Sequence, residues 1–207
     1  MKNKIFLDMD GVVADFFGVL LKGTDKKKIK DLNEDDVFKF MTSLSDIEHF
    51  FASLPEFKSN TVLIHKILKF AGEYHICSSP LHDRRESKDT KRNQFFIRQS
   101  IYGKHAWVQQ HLEPQPVTMC FSDEKWKDAP AVEKDGTPNI LIDDRKDNIE
   151  AWEKAGGIGI KFQADEHFDD PNLDYIDKQF DKVKRRLKKN KSYNEAVDYY
   201  LKSVLNE

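Results

Sequence analysis

Three places in the chain set reactive side chains at the end of an apolar run. The first is Asp8-Met9-Asp10-Gly11, which follows Ile5-Phe6-Leu7. Side chains in a strand alternate between faces, so Asp8 and Asp10 are expected to project the same way. Two carboxylates that close repel each other unless a cation lies between them or one holds a proton. Hard oxygen ligands of this kind suit Mg²⁺, which usually takes one or two carboxylates together with substrate phosphate. Gly11 lets the chain turn sharply straight after the strand. The second place is Ser78-Ser79-Pro80, after Tyr74-His75-Ile76-Cys77. Hydroxyls at a strand end, beside the N–H groups of the next turn, can hold phosphoryl oxygens; serines there can also cap a following helix. The third is Asp143-Asp144, after Ile140-Leu141-Ile142 and with Arg145 and Asp147 close behind. Capping of a helix by Asp144 accounts for one of these acids and not for both.

The elements that must position these groups are legible as apolar runs of strand length. Besides the first, they are Tyr74–Cys77, Val117–Phe121, Asn139–Ile142 and Gly159–Phe162. Helical spacing separates them, with Val62, Ile64, Ile67 and Leu68 before the second run and Phe95, Phe96, Ile101, Trp107, Val108 and Leu112 before the third. Ile149, Trp152 and Ala155 precede the last. Strands alternating with helices predict an α/β domain with a central parallel sheet. Such sheets bind ligands beyond the carboxyl ends of their strands, where the three polar clusters fall.

Residues 16–60 fit the sheet pattern poorly and read as a helical insertion rich in aromatic residues, leaving 1–15 and 61–165 as the core. Residues 166–207 carry two amphipathic patterns, Ile176, Phe180, Val183 and Leu187, then Ala196, Val197, Tyr200, Leu201 and Val204. They predict two helices packed on the core, with the basic run Lys184–Lys191 as a solvated face and turn between them. Gly156-Gly157-Ile158-Gly159 follows a helix and precedes a strand, the reverse of a phosphate loop, and reads as a helix C-cap.

At 207 residues the chain is long enough for one domain with a substantial core. Its formal net charge of −2 gives no electrostatic case for binding duplex nucleic acid. No apolar stretch is long enough to span a bilayer, and the first residues run directly into the first strand, so a cytoplasmic location is expected, a host's cytoplasm if the chain is phage-encoded. Cys77 and Cys120, the two cysteines, lie in strand-like segments and are expected as buried thiols.

Asp8-Met9-Asp10-Gly11-Val12-Val13-Ala14-Asp15 resembles the DxDGxxxD nucleophile motif of the haloacid dehalogenase (HAD) phosphohydrolase superfamily. Ser78 matches that superfamily's hydroxyl after the second core strand, and Asp143-Asp144 its later acidic pair. The resemblance implies a three-layer Rossmann-like sandwich whose insertion at 16–60 is a small cap over the active site. It implies Asp8 as nucleophile, Asp10 as acid and base, and Mg²⁺ held by Asp8, the Asp10 main-chain carbonyl and the Asp143/Asp144 pair. It also calls for a lysine between Ser78 and Asp143; Lys125, after Phe121-Ser122-Asp123-Glu124, is the first choice, with Lys127 and Lys134 as rivals.

The fragments Asp8–Phe16, Ile76–Pro80, Lys104-His105-Ala106-Trp107-Val108 and Leu141–Arg145 narrow the resemblance to the 5′(3′)-deoxyribonucleotidases, cellular or phage. That family commonly has a basic residue shortly after the Ser-Pro step, where this chain has His82. The implied activity is Mg²⁺-dependent hydrolysis of (deoxy)nucleoside monophosphates, with Ser78 and Ser79 on the phosphate. Sugar phosphates or polynucleotide 3′-phosphate ends are the alternative substrates, and a nucleotide-binding regulator is the reading from another class. The aromatic density of 16–60 exceeds what a small insertion needs to cover itself. Phe16 and Phe17 are the expected base-stacking residues, with Phe50 or Phe51 as partners.

Overall fold

A computed structural model of the chain describes residues 3–83, 85, 87–112, 115–121, 125–167 and 169–205, without the side chains of 190–205. Five strands form one parallel sheet: β1 (Ile5–Leu7), β2 (His75–Ser78), β3 (Val117–Met119), β4 (Ile140–Asp143) and β5 (Ile158–Lys161), in the order β3-β2-β1-β4-β5. Each lies within two residues of its predicted run. The register pairs Leu7 with Ile76 on one side and with Ile142 on the other, so β1 is central.

β1 is apolar at every position because both of its faces are covered, as in parallel sheets generally. Ile5, Leu7, Ile76, Ile140 and Ile142 pack into one core, whereas Phe6, Cys77 and Leu141 pack into a second core on the opposite face. The first core is closed by α4 (Asn60–Ala71), α5 (Lys91–His111) and the start of α8 (Asp174–Leu205), through Leu63, Ile67, Trp107 and Phe180. The second is closed by α7 (Lys146–Lys154), through Ile149 and Trp152, and by Ala129 and Ala131 beyond the short helix α6 (Lys125–Asp128). Helix, sheet and helix make three layers, as the resemblance implies, around the parallel sheet that the strand pattern predicts.

Residues 16–60 are helical, with α1 (Phe16–Lys22), α2 (Glu34–Ser43) and α3 (Ile47–Ala52). Each has a polar side chain at its N-cap: Asp15, Asn33 and Asp46 accept from backbone N–H groups in the first turn. α3 lies directly on α5, because Gly103 leaves room for the Glu48 carbonyl; a Cβ at Gly103 would meet that oxygen at 2.3 Å.

The C-terminal section departs from expectation. Asp174–Leu205 is one helix of 32 residues, not two. The basic run 184–191 holds neither Gly nor Pro, and Lys, Arg and Leu are good helix formers, so nothing in it stops the helix. Its first turns bury Ile176, Phe180 and Val183, with Phe180 stacked on Phe70 at 4.3 Å. Gly156, at φ +93°, does turn the chain between α7 and β5. Both cysteines are buried free thiols with sulfurs 3.2 Å apart. The hydrogen bond to Cys120, followed by burial, pushes the Cys77 thiol well above the ordinary range. No helix among the described residues is long and apolar enough to cross a membrane.

Candidate active site

β2, β1 and β4 are neighbours and run in the same direction, so their carboxyl ends bring Ser78, Asp8 and Asp143/Asp144 to one edge of the sheet. Asp8 continues the ladder, its N–H donating to Ile142 at 2.9 Å. The chain then folds back: the N–H groups of Val13 and Ala14 both donate to the Met9 carbonyl at 2.9 Å. Gly11 makes that turn at φ +77°, and a Cβ there would meet the Phe17 ring at 2.9 Å and the Asp144 carboxylate at 3.1 Å. Asp15, the last acid of the motif, caps α1 by accepting from Gly18.

Asp8, Asp143 and Asp144 offer carboxylate oxygens within 4.8 Å of one another, and all three are buried. Their environments differ. Asp143 accepts from Lys125 Nζ at 2.5 Å, from the Arg145 N–H at 2.8 Å and from Asn148 at 3.0 Å. No described residue donates to the Asp144 carboxylate, so burial, then Asp8 and Asp143, push its pKa well above the carboxylate range. Burial also raises Asp143, against the pull of Lys125. A group of acids with this shortage of positive charge suits a divalent cation, with Asp144 as the carboxylate that no donor among the described residues has already claimed.

Lys125 sits at the start of α6, 3.0 Å from Asp8 Oδ1 as well as 2.5 Å from Asp143. Burial disfavours its ammonium, but Asp143 and then Asp8 outweigh that and hold its pKa well above the usual lysine value. Lys127 and Lys134 are exposed and lie outside this cluster. Ser122, Asp123 and Glu124, which precede Lys125, lie outside the described residues.

Asp10 takes a different partner. Its Oδ2 accepts from Lys104 Nζ at 2.6 Å, while Oδ1 is buried without a partner among the described residues. Burial raises its carboxyl, with Lys104 opposing and Asp8 reinforcing the shift. Lys104 also donates to Ser78 Oγ at 3.0 Å and to the Ser79 carbonyl at 2.6 Å. The sequence reading assigned no role to Lys104. A signal was present: Phe96, Ser100, Gly103, Lys104 and Trp107 form the buried stripe of α5, and a lysine in such a stripe needs a buried acid.

Asp8, Asp10, Lys104 and Asp144 line a cavity of about 210 Å³ together with the apolar side chains of Phe16, Phe17, Val37, Phe38, Phe51 and Leu81, whereas Ser78, Lys125 and Asp143 lie buried behind it. Phe17 is half-buried, with its ring against Gly11. Phe16 is mostly core: it is 7% exposed and stacks on Phe51 at 6.0 Å. Phe50 belongs to the same aromatic cluster but does not line the cavity. Ser79 lines it and keeps a buried Oγ with no partner among the described residues; His82 lines it as well. At the mouth Arg85 holds Asp83 through Nε at 2.9 Å and reaches Asp35 on α2, tying the helical insertion to the core.

No family model matches the chain, and no curated protein matches it. Solved structures similar to it are distant. One is a HAD family enzyme from Bacteroides thetaiotaomicron, a mutant in complex with magnesium and inorganic phosphate: 13% identity, TM-score 0.40, covering 79% of this chain and 95% of that one. Another is a phosphonoacetaldehyde hydrolase like protein from Oleispira antarctica, at 15% identity and TM-score 0.42, covering 90% and 84%. A hydrolase from Streptococcus pneumoniae follows at 14% and 0.35, covering 79% and 94%. The sheet order by itself makes the molecule an α/β protein with a five-stranded parallel sheet.

Proposed function

We propose that the chain is a Mg²⁺-dependent phosphomonoester hydrolase of the HAD type, acting on (deoxy)nucleoside monophosphates through an aspartyl-phosphate. The observation that carries this reading is the buried Asp8/Asp143/Asp144 cluster, with Lys125 between Asp8 and Asp143, of which Asp8 and Asp144 line a cavity shared with aromatic rings. Asp8 and Asp144, with the Asp10 main-chain carbonyl, would hold the cation, and Asp143 keeps Lys125 and the turn to α7 in place. When bound, the cation supplies positive charge to the phosphoryl oxygens.

Asp8 attacks phosphorus; the new P–O bond to its carboxylate forms as the bond to the sugar oxygen breaks. Asp10 gives that oxygen its proton, then takes one from the water that releases phosphate and frees Asp8. Lys125 and the Ser78 hydroxyl stabilise the equatorial oxygens, where phosphoryl transfer gains most of its catalysis. The aromatic wall gives the base a surface on which to stack, with Phe17 the most available ring.

A panel of mononucleotides, sugar phosphates and 3′-phosphorylated oligonucleotides, assayed for released phosphate with Mg²⁺, tests the assignment. Preference for mononucleotides is the expected result. Preference for either other class would replace the substrate and keep the chemistry. Failure to hydrolyse any of them, or an activated aryl phosphate, would remove the phosphatase reading.

A further inference from the structure

The two buried lysines of the site divide it between them. Lys125 faces Asp8 and Asp143, whereas Lys104, 1% exposed, faces Asp10 and the Ser78-Ser79 turn. An ammonium has three N–H bonds. Those of Lys104 match three protein acceptors, Asp10 Oδ2, Ser78 Oγ and the Ser79 carbonyl, so it has none left for a substrate.

We infer that Lys104 is a positioning residue that assigns separate tasks to the two oxygens of Asp10 and aims the Ser78 hydroxyl. This rests on the phosphatase reading. With Oδ2 held by Lys104, the proton that passes to the leaving group belongs on Oδ1, the oxygen with no partner among the described residues. Ser78 Oγ accepts from Lys104, so its own hydrogen must go to another acceptor, and a phosphoryl oxygen fills that need. Lys104 gains its fixed position from the helix that carries it. Gly103, the preceding residue, sets α5 against the Glu48 backbone, and the Phe51 ring from α3 covers the ammonium at 5.1 Å. The helical insertion therefore bears on the placement of Asp10 through one side chain.

The test compares an alkyl phosphate, whose leaving oxygen needs a proton, with an activated aryl phosphate, whose leaving group departs without one. Both carry the same phosphoryl group. In Lys104→Met, kcat for the alkyl substrate is expected to fall about 100-fold or more beyond the loss on the aryl substrate, in the range of general acid catalysis. KM is expected to change little. Asp10→Asn is expected to show the same selectivity. The double variant Asp10→Asn/Lys104→Met should add no further selectivity, because both changes disable one device. That double variant also leaves no unpaired buried charge, so it supplies the reading if Lys104→Met alone fails to fold.

Equal losses on both substrates, or a loss confined to KM, would overturn the role of Lys104 while leaving the phosphatase intact. Additive selectivity in the double variant would also overturn it. A wild-type protein inactive on both substrates would remove the phosphatase reading, and the role of Lys104 with it.

Discussion

Asp144→Asn is expected to make the metal-free protein more stable while abolishing its response to Mg²⁺. Asp144 lies within 4.8 Å of both Asp8 and Asp143. At that distance and an effective dielectric of about 20, each pair of like charges costs about 3.5 kcal/mol. Lys125 offsets part of this, and protonation of Asp144 relieves part of the rest, so the neutral amide is expected to recover about 2 kcal/mol. For a domain of this size that is a rise in Tm of about 4–8 °C. The sign follows from linkage. The folded-state pKa of Asp144 is raised, so its contribution to stability is fully present below the unfolded carboxylate value and is lost as pH rises through the folded one. The gap between variant and wild type should therefore be absent in acid and open toward pH 8. Added Mg²⁺ at about 100 times its Kd should stabilise the wild type by about 2.7 kcal/mol and leave the variant unmoved. Calorimetric melts at several pH values, with EDTA or with Mg²⁺, measure all of this. If Asp144→Asn melted below wild type at pH 8 in EDTA, or kept the Mg²⁺ shift, the cation assignment of Asp144 would be wrong.

Asp8→Asn should abolish phosphate release while leaving the circular-dichroism melt cooperative, since the amide is nearly isosteric but a poor nucleophile; a tenth of wild-type activity would remove Asp8 from that role. Lys125→Met leaves Asp8 and Asp143 without their shared cation and should cost about 3–5 kcal/mol in urea unfolding, partly restored by Mg²⁺. An unchanged urea midpoint would show that the carboxylates do not depend on it. Phe17→Ala should raise KM for a mononucleotide about tenfold, from a stacking contact of about 1–3 kcal/mol, and leave aryl phosphate hydrolysis nearly unchanged. A loss of equal size on both substrates would mean that the ring only supports Gly11 and its turn.

The strands and the acids at their ends could be read along the chain because both signals are local. An uninterrupted apolar run such as Ile5-Phe6-Leu7 belongs to a strand covered on both faces, and a carboxylate directly after it falls at the sheet edge. Aspartates at two such ends, with Gly11 after the first, were enough to point to a cation site, and the described Asp8/Asp143/Asp144 cluster has that geometry. The choice between Lys125, Lys127 and Lys134 was not local. Lys125 is buried against Asp8 and Asp143, which come from two other strand ends, whereas Lys127 and Lys134 are exposed.

The same holds for the partners of each carboxylate. Asp143 and Asp144 are adjacent and chemically identical, and only the packing around them gives the donors to one and, among the described residues, none to the other. Lys104 reaches Asp10 across 94 positions, because α5 crosses behind the β2 turn and beneath α3. Phe16 and Phe17 read alike in sequence, yet a helix turns successive side chains about 100° apart, so one enters the aromatic core and the other borders the cavity. The single C-terminal helix shows the converse: a charged stretch that resembles a turn continues as helix because nothing in its backbone breaks it. Sequence by itself determined the sheet and the acidic side chains at its carboxyl edge. Tertiary structure alone decided which charge meets which, since a buried ion pair depends on the distance between atoms and not on their separation along the chain.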